Sequence, residues 1–269
     1  MVEIGKASKK LYQPTLNVPL LKAFNVHYGP AQMLGRFFMN IDHRYRQQGL
    51  EFSFADFAEV ADVQKRNVEN WSFMNPMFDP AVADIPEGRA FCIVGRNSRG
   101  EVVTTGSGKL LNASKRSFKE IVNSGDFFSI RPADNINGIT TEITAPVAET
   151  MHGEIVYVGG IWVHPDLRGL RLASLWTRLV NGVALALWEP DLTVGFVRAE
   201  LDGSGYHKRY SYTNADQSLF IKTHERVLLE AVLCWMTMTD AAEDIAHFLD
   251  GLWPEINTGV AAGGGQQAS

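Results

Sequence analysis

Cysteine is scarce: the 269 residues contain Cys92 and Cys234 alone, each inside an apolar run (AFCIV and LLEAVLCWM). That excludes a disulfide framework and predicts small buried thiols in a reducing compartment. A basic excess is missing too, since the formal net charge is −5, so no overall field draws the chain to nucleic acid or to an anionic membrane. No stretch approaches the roughly 18 uncharged apolar residues of a membrane helix, and MVEIGKASKKLYQ has no apolar signal core. A cytoplasmic protein with no membrane span is expected. The seven histidines are scattered without Cys or carboxylate partners at ligand spacing, which predicts no metal site. Large side chains disappear from TGVAAGGGQQAS, and residues 257–269 are expected to be a disordered tail without chemistry.

Apolar residues make up 45% of the chain, enough for a sizeable core. Residues 1–30, broken by Pro14, Pro19, Gly29 and Pro30, read as an irregular surface arm. Met33, Leu34, Phe37, Phe38, Ile41 and Tyr45 mark one helix face, ended by Gly49. Phe54, Phe57, Ala58, Ala61 and Val68 mark a second, so two helices are predicted ahead of any strand. AFCIVGRNSRGEVVTTGSGKLL reads as a hairpin turning at 97–100. A mixed segment follows over 112–153, with a short helix (SFKEIVNSG), a polar loop and a strand (ITTEITA). Then come the strand EIVYVGGIWV, the helix LASLWTRLVNGVALALW and the strand LTVGFVRAEL. RVLLEAVLCWM fits a buried strand or a helix, and DAAEDIAHFLDGLW is a closing helix. The domain division predicted is an arm and helix over 1–50, a catalytic or binding domain over 51–256, and the tail.

The connection HPDLRGLRLAS is electrostatically odd. A helix N-terminus carries partial positive charge and favours acids, yet Asp166 there faces Arg168, Arg171 and, further on, Arg178. Either Asp166 caps the helix while the arginines point into water, or amides and arginines together form an anion site suited to phosphate.

This order of elements, with GGIWVHPDLRGLRLASLWTRLV at its centre, resembles the GCN5-related N-acetyltransferase (GNAT) family, the acyl-CoA N-acyltransferases. The family motif is a strand ending in Val-x-Pro, followed by Arg/Gln-x-x-Gly-x-Gly/Ala opening a helix. Val163, Pro165, Arg168 and Ala173 match it, while Arg171 stands where the first small residue is usually glycine. The resemblance spans residues 55–235 at most. It implies an α/β (α+β) fold with a mixed, mostly antiparallel central sheet flanked by helices, its central strands splayed. It also implies acetyl-CoA or another form of coenzyme A as co-substrate, with no metal. Ile161, Trp162 and Val163 would run along pantetheine, and Arg168, Gly169, Leu170, Arg171, Leu172, Ala173 and Ser174 would hold the pyrophosphate. Gly159-Gly160 is a natural place for a splaying bulge, or for close packing under an aromatic. A second family motif, Asn-x-x-Ala-x-x-aliphatic-Tyr followed by Gly-Phe, falls on ELDGSGYHKRYSY in spacing but not in identity. Its tyrosine protonates the leaving thiolate. Here His207 leads on register and Tyr206 on chemistry, with Tyr210 a rival.

Acyl transfer to an amine needs a neutral nitrogen, a stabilised oxyanion and a proton for sulfur. Glu154 and Glu200, at the two strand ends, are candidate bases, and a backbone amide near Trp162 is the candidate oxyanion donor. NWSFMNPMF and GDFFSI supply aromatic and Met surface for an apolar acceptor, or for core. The expected partners are acyl-CoA and a small-molecule primary amine, with no nucleic acid, and a homodimer remains open. The expected activity is N-acyl transfer, of acetyl in the first instance. The alternatives are a non-catalytic acyl-CoA or ligand sensor, and an acyl-carrier-protein-dependent relative of the acyl-amino-acid and lactone synthases.

Overall fold

The computed structural model describes residues 10–71, 74–135, 138–168, 172–202, 205–223 and 225–251, apart from the side chains of Asp134, Ala173, Asp202, Tyr206, Gln217 and Ser218. In chain order the elements are α1 (Leu20–Ala23), α2 (Ala31–Arg46), β1 (Glu51–Ala55), α3 (Phe57–Arg66), β2 (Ala90–Arg96), β3 (Val102–Ala113), α4 (Phe118–Asn123), β4 (Thr140–Ile143), β5 (Gly153–Val163), α5 (Leu172–Trp188), β6 (Leu192–Arg198), α6 (Ala199–Asp202), α7 (Tyr206–Arg209), β7 (Asn214–Lys222), β8 (Val227–Thr237) and α8 (Met238–Leu249).

Eight strands form one sheet in the order β1-β2-β3-β5-β6-β8-β7-β4. Every neighbouring pair is antiparallel except β5 and β6, which run parallel through α5 as a crossover. The mixed, mostly antiparallel sheet flanked by helices is the expected class. α5 is apolar on almost all sides because it is covered on almost all sides: the sheet lies beneath it, and α2 and α8 pack on it. Trp176, Leu179, Val180 and Val183 are buried along it, with Phe37 and Phe38 of α2 and Phe248 of α8 in the same cluster. The opposite face carries a second core from Phe118, Phe127, Tyr157 and Leu233.

Three expectations need correction. Glu51–Ala55 is not the start of a helix but edge strand β1, paired with β2. Phe52 and Phe54 alternate along it, and the helix begins only after Asp56, whose carboxylate accepts the Ala58 amide. α3 accordingly buries Val60, Ala61 and Val63, while Ala58 and Val68 are exposed. The strand expected to reach Leu201 stops at Arg198, where the chain turns helical. RVLLEAVLCWM resolves as strand β8, and β7 beside it had no sequence counterpart. The arm over 10–30 is less superficial than expected: it forms α1, buries Leu20 and Ala23 in the main core, and hydrogen-bonds β1 through the Asn17 amide and the Phe54 carbonyl. Cys92 and Cys234 are free and buried. Among the described residues no helix is long and apolar enough to cross a membrane. The tail from 257 lies outside the described residues.

Candidate functional site

β5 and β6 pair from Ile155↔Leu192 to Val158↔Gly195 and then part. Beyond that point β5 stays on β3 while β6 stays on β8, so the two central strands open into a V. The cause is visible on both sides. On β5, Thr105↔Trp162 and Ser107↔Gly159 are separated by one residue of β3 but two of β5, which is a bulge. Gly160 sits in it with φ +61°, a region an L side chain enters only under strain, and the Thr105 hydroxyl donates to its carbonyl at 2.7 Å. On β6, the Tyr212 hydroxyl lies so close over Gly195 that a Cβ there would collide with it. Glycine at 195 therefore lets the phenol ring rest on the last paired position before the split.

The V encloses a cleft of about 940 Å³ lined by residues from both faces of the sheet. Leu172 and Thr177 of α5 border one side, and Tyr157, Phe128 and Phe196 the other. Trp71, stacked on Trp162 at 5.2 Å between ring centroids, closes one flank, and Leu201, Leu228 and Leu229 form the other. Tyr157 and Tyr212 are phenols that burial holds protonated, with pKa pushed well above the usual value. The Tyr157 hydroxyl accepts a hydrogen bond from Asn75 Nδ2 at 2.8 Å.

The expected coenzyme residues fall as follows. Ile161, Trp162, Val163, Arg168 and Leu172 line the cleft. Ser174 is buried in the first turn of α5, where its carbonyl accepts from Arg178. The Ala173 side chain, and Gly169, Leu170 and Arg171 altogether, lie outside the described residues. Arg178 does not serve the loop: it is 1% exposed and ion-paired to Asp244 of α8 at 2.7 Å.

The expected acid and bases fit less well. Glu154 stands at the far end of β5, paired to Arg89 at 2.8 Å. Glu200 is exposed on α6 and pairs with Arg198 at 3.4 Å. Neither glutamate, nor His207, is among the described residues lining the cleft. The shift from strand to helix at 199 is the reason, because it turns this segment away from the register the motif assumes. The Tyr206 side chain is outside the description, whereas Tyr210 and Tyr212 both line the cleft. NWSFMNPMF and GDFFSI divide residue by residue: Met77, Phe78 and Phe127 are core, while Trp71, Asn75 and Phe128 face the cleft. Sequence reasoning missed Tyr157 and Arg198, and it singled out the stretches holding Asn75 and Tyr212 without giving either a role in the site. The alternation of β5 and β6 places Tyr157 and Phe196 on one face, and Arg198 could have been found by continuing it.

No protein-family profile and no curated protein matches the chain. Solved structures do resemble it. The Arabidopsis thaliana protein NAA60 in complex with acetyl-CoA is 11% identical, covers 70% of this chain and 99% of its own, and superposes with a TM-score of 0.45. The spermidine/spermine N-acetyltransferase SpeG of Vibrio cholerae is 7% identical over 73% of this chain and 98% of its own, with a TM-score of 0.42. Likeness at this distance transfers neither an activity nor a residue's role.

Proposed function

We propose that the chain is an N-acyltransferase that moves an acyl group, acetyl in the first instance, from acyl-CoA to the primary amine of a small molecule. The observation that carries the reading is the parting of β5 from β6 beyond Val158 and Gly195, which leaves a strand edge facing a cleft. The amide groups of pantetheine are suited to pair with such an edge, and Arg168 beside it suits a diphosphate. In the reaction the amine nitrogen attacks the thioester carbonyl, the carbon–sulfur bond breaks, nitrogen gives up a proton and the departing thiolate takes one. Tyr210 is the preferred proton donor, because it lines the cleft and its hydroxyl has a proton to give to sulfur.

The test is thiol release from acetyl-CoA across an amine panel, run beside calorimetric titration with CoA. Turnover with any amine, abolished or greatly slowed by Tyr210→Phe, is the expected result. Failure to bind CoA overturns the reading. A second reading, ligand binding without turnover, draws support from one observation: among the described residues no Asp, Glu or His lines the cleft to act as base. CoA binding with no release on any amine would favour it.

A further inference from the structure

The chemistry of the cleft wall is one-sided. Among the described residues that line it, the charged side chains are Arg168 and Arg198, with no carboxylate to balance them. On the face away from α5 stand Trp162, Tyr157 and Asn75. The Trp162 indole N–H is buried with no hydrogen-bond partner among the described residues. Tyr157 already accepts from Asn75 and so has its own proton to give, while the Asn75 carbonyl oxygen is taken by the Met77 amide. Arg198 follows Phe196 by two residues along β6 and shares its face. Between these donors the wall is apolar, with Phe128, Phe196 and Ile221.

Resting on the acyltransferase reading above, we infer that the acceptor is an amine that also carries a carboxylate, on an apolar or aromatic body, and is not a polyamine. A second ammonium in this cleft would be desolvated with no carboxylate among the described lining residues to pair with it and with a guanidinium nearby. A carboxylate meets the opposite situation: Arg198 offers it charge-assisted hydrogen bonds. The Arg198–Glu200 pair is no obstacle, since an exposed pair at 3.4 Å is weak and a substrate carboxylate can take the place of Glu200. The same surroundings account for the absent base. Apolar walls and a neighbouring cation both disfavour the ammonium form, so the nucleophilic amine is populated closer to neutral pH and releases its proton to solvent.

The experiment compares L-phenylalanine, L-phenylalaninamide, phenethylamine and spermidine as acceptors in thiol release from acetyl-CoA. Calorimetric titrations with CoA and with the would-be products N-acetylphenylalanine, N-acetylphenethylamine and N-acetylspermidine run alongside. Phenylalanine should exceed the two carboxylate-free aromatic amines by about tenfold or more in kcat/KM, the size of one charge-assisted contact, with spermidine last. Arg198→Gln should reduce that preference about tenfold, chiefly through KM for phenylalanine, and should weaken N-acetylphenylalanine to match. Equal or better use of spermidine or phenethylamine, or product affinities indifferent to the carboxylate, overturns the inference. The two failures are separable. CoA binding without carboxylate preference sinks the inference alone, whereas Arg198-dependent N-acetylphenylalanine binding without CoA binding sinks the acyltransferase reading and leaves the carboxylate site standing.

Discussion

Arg168 donates through Nε to the carbonyl oxygen of Val163 at 3.3 Å, and its Nη2 reaches the carbonyl of Asn70 at the same distance. One guanidinium thereby ties the end of β5 to the segment that follows α3, across the mouth of the cleft. A pantetheine laid along β5 would compete for that Val163 oxygen, so CoA binding requires Arg168 to let go. Two exposed hydrogen bonds to neutral carbonyls hold about 0.5 to 1.5 kcal/mol each at most, whereas a contact to a diphosphate gives about 1.5 to 3 kcal/mol. The charge therefore decides the sign: Arg168→Ala should weaken CoA by roughly ten- to a hundredfold in calorimetry, and tighter binding would mean that the arginine acts only as a latch.

Gly160 tests the bulge. Its φ of +61° costs a residue with a Cβ about 1 to 2 kcal/mol, and that Cβ would stand 3.1 Å from the Ser107 hydroxyl. Gly160→Ala should lose about that much stability in urea unfolding and, if the strand relaxes toward β6, lose CoA affinity as well. Full stability in the variant would show that the left-handed turn is not required.

What could be read in the sequence was what local periodicity encodes. The stripes of α2 and α5, the β2–β3 hairpin and the glycine pair of β5 all appeared where their patterns placed them. β1 did not, because Phe54, Phe57 and Ala61 happen to fall at helical spacing across a boundary that Asp56 marks by capping α3. β8 gave no period because its centre is buried on both faces, as a strand inside an eight-stranded sheet must be. The cleft was legible on one wall only. Ile161, Trp162, Val163 and Arg168 lie close together in the chain, but Tyr212 and Leu229 arrive through sheet order and Asn75 from the turn between α3 and β2, which no local pattern records.

The Arg178–Asp244 pair belongs to stability. The arginine is 1% exposed between α5 and α8, its charge also about 6.0 Å from the Phe248 ring centroid. Removing one partner of a buried pair strands the other charge at a cost of about 3 to 5 kcal/mol. Asp244 is 24% exposed, so water can reach that side and the lower end applies. Asp244→Ala should destabilise by about 3 kcal/mol in urea unfolding, and Arg178→Met, which keeps the volume and removes the charge, should cost clearly less. Equal losses would mean that packing, and not the stranded charge, sets the penalty.

Lys109 offers the pH test. It is buried on β3, its Nζ 3.0 Å from the Ser129 hydroxyl, and burial lowers its pKa from 10.5 to about 8, with Asp84 opposing part of the shift. In the unfolded chain the ammonium persists to about 10.4. Between about pH 8 and 10.5 the unfolded state therefore binds more protons than the folded one, and stability gains with rising pH. Below pH 8 the folded protein carries the charge in a buried place, and the penalty is at its full size of about 3 kcal/mol, from roughly 1.4 kcal/mol per pKa unit. Lys109→Met should remove this contribution. Other lysines and tyrosines titrate in the same range, so the quantity to measure is the difference in unfolding free energy between wild type and variant across pH 7 to 10.5. The variant's relative advantage should be largest at pH 7, where the loss of the Ser129 hydrogen bond subtracts about 1 kcal/mol from it, and should shrink as pH rises. A difference that stays flat across that range would show that Lys109 keeps its proton in the folded protein, and that the Ser129 hydroxyl and Asp84 hold its charge better than burial opposes it.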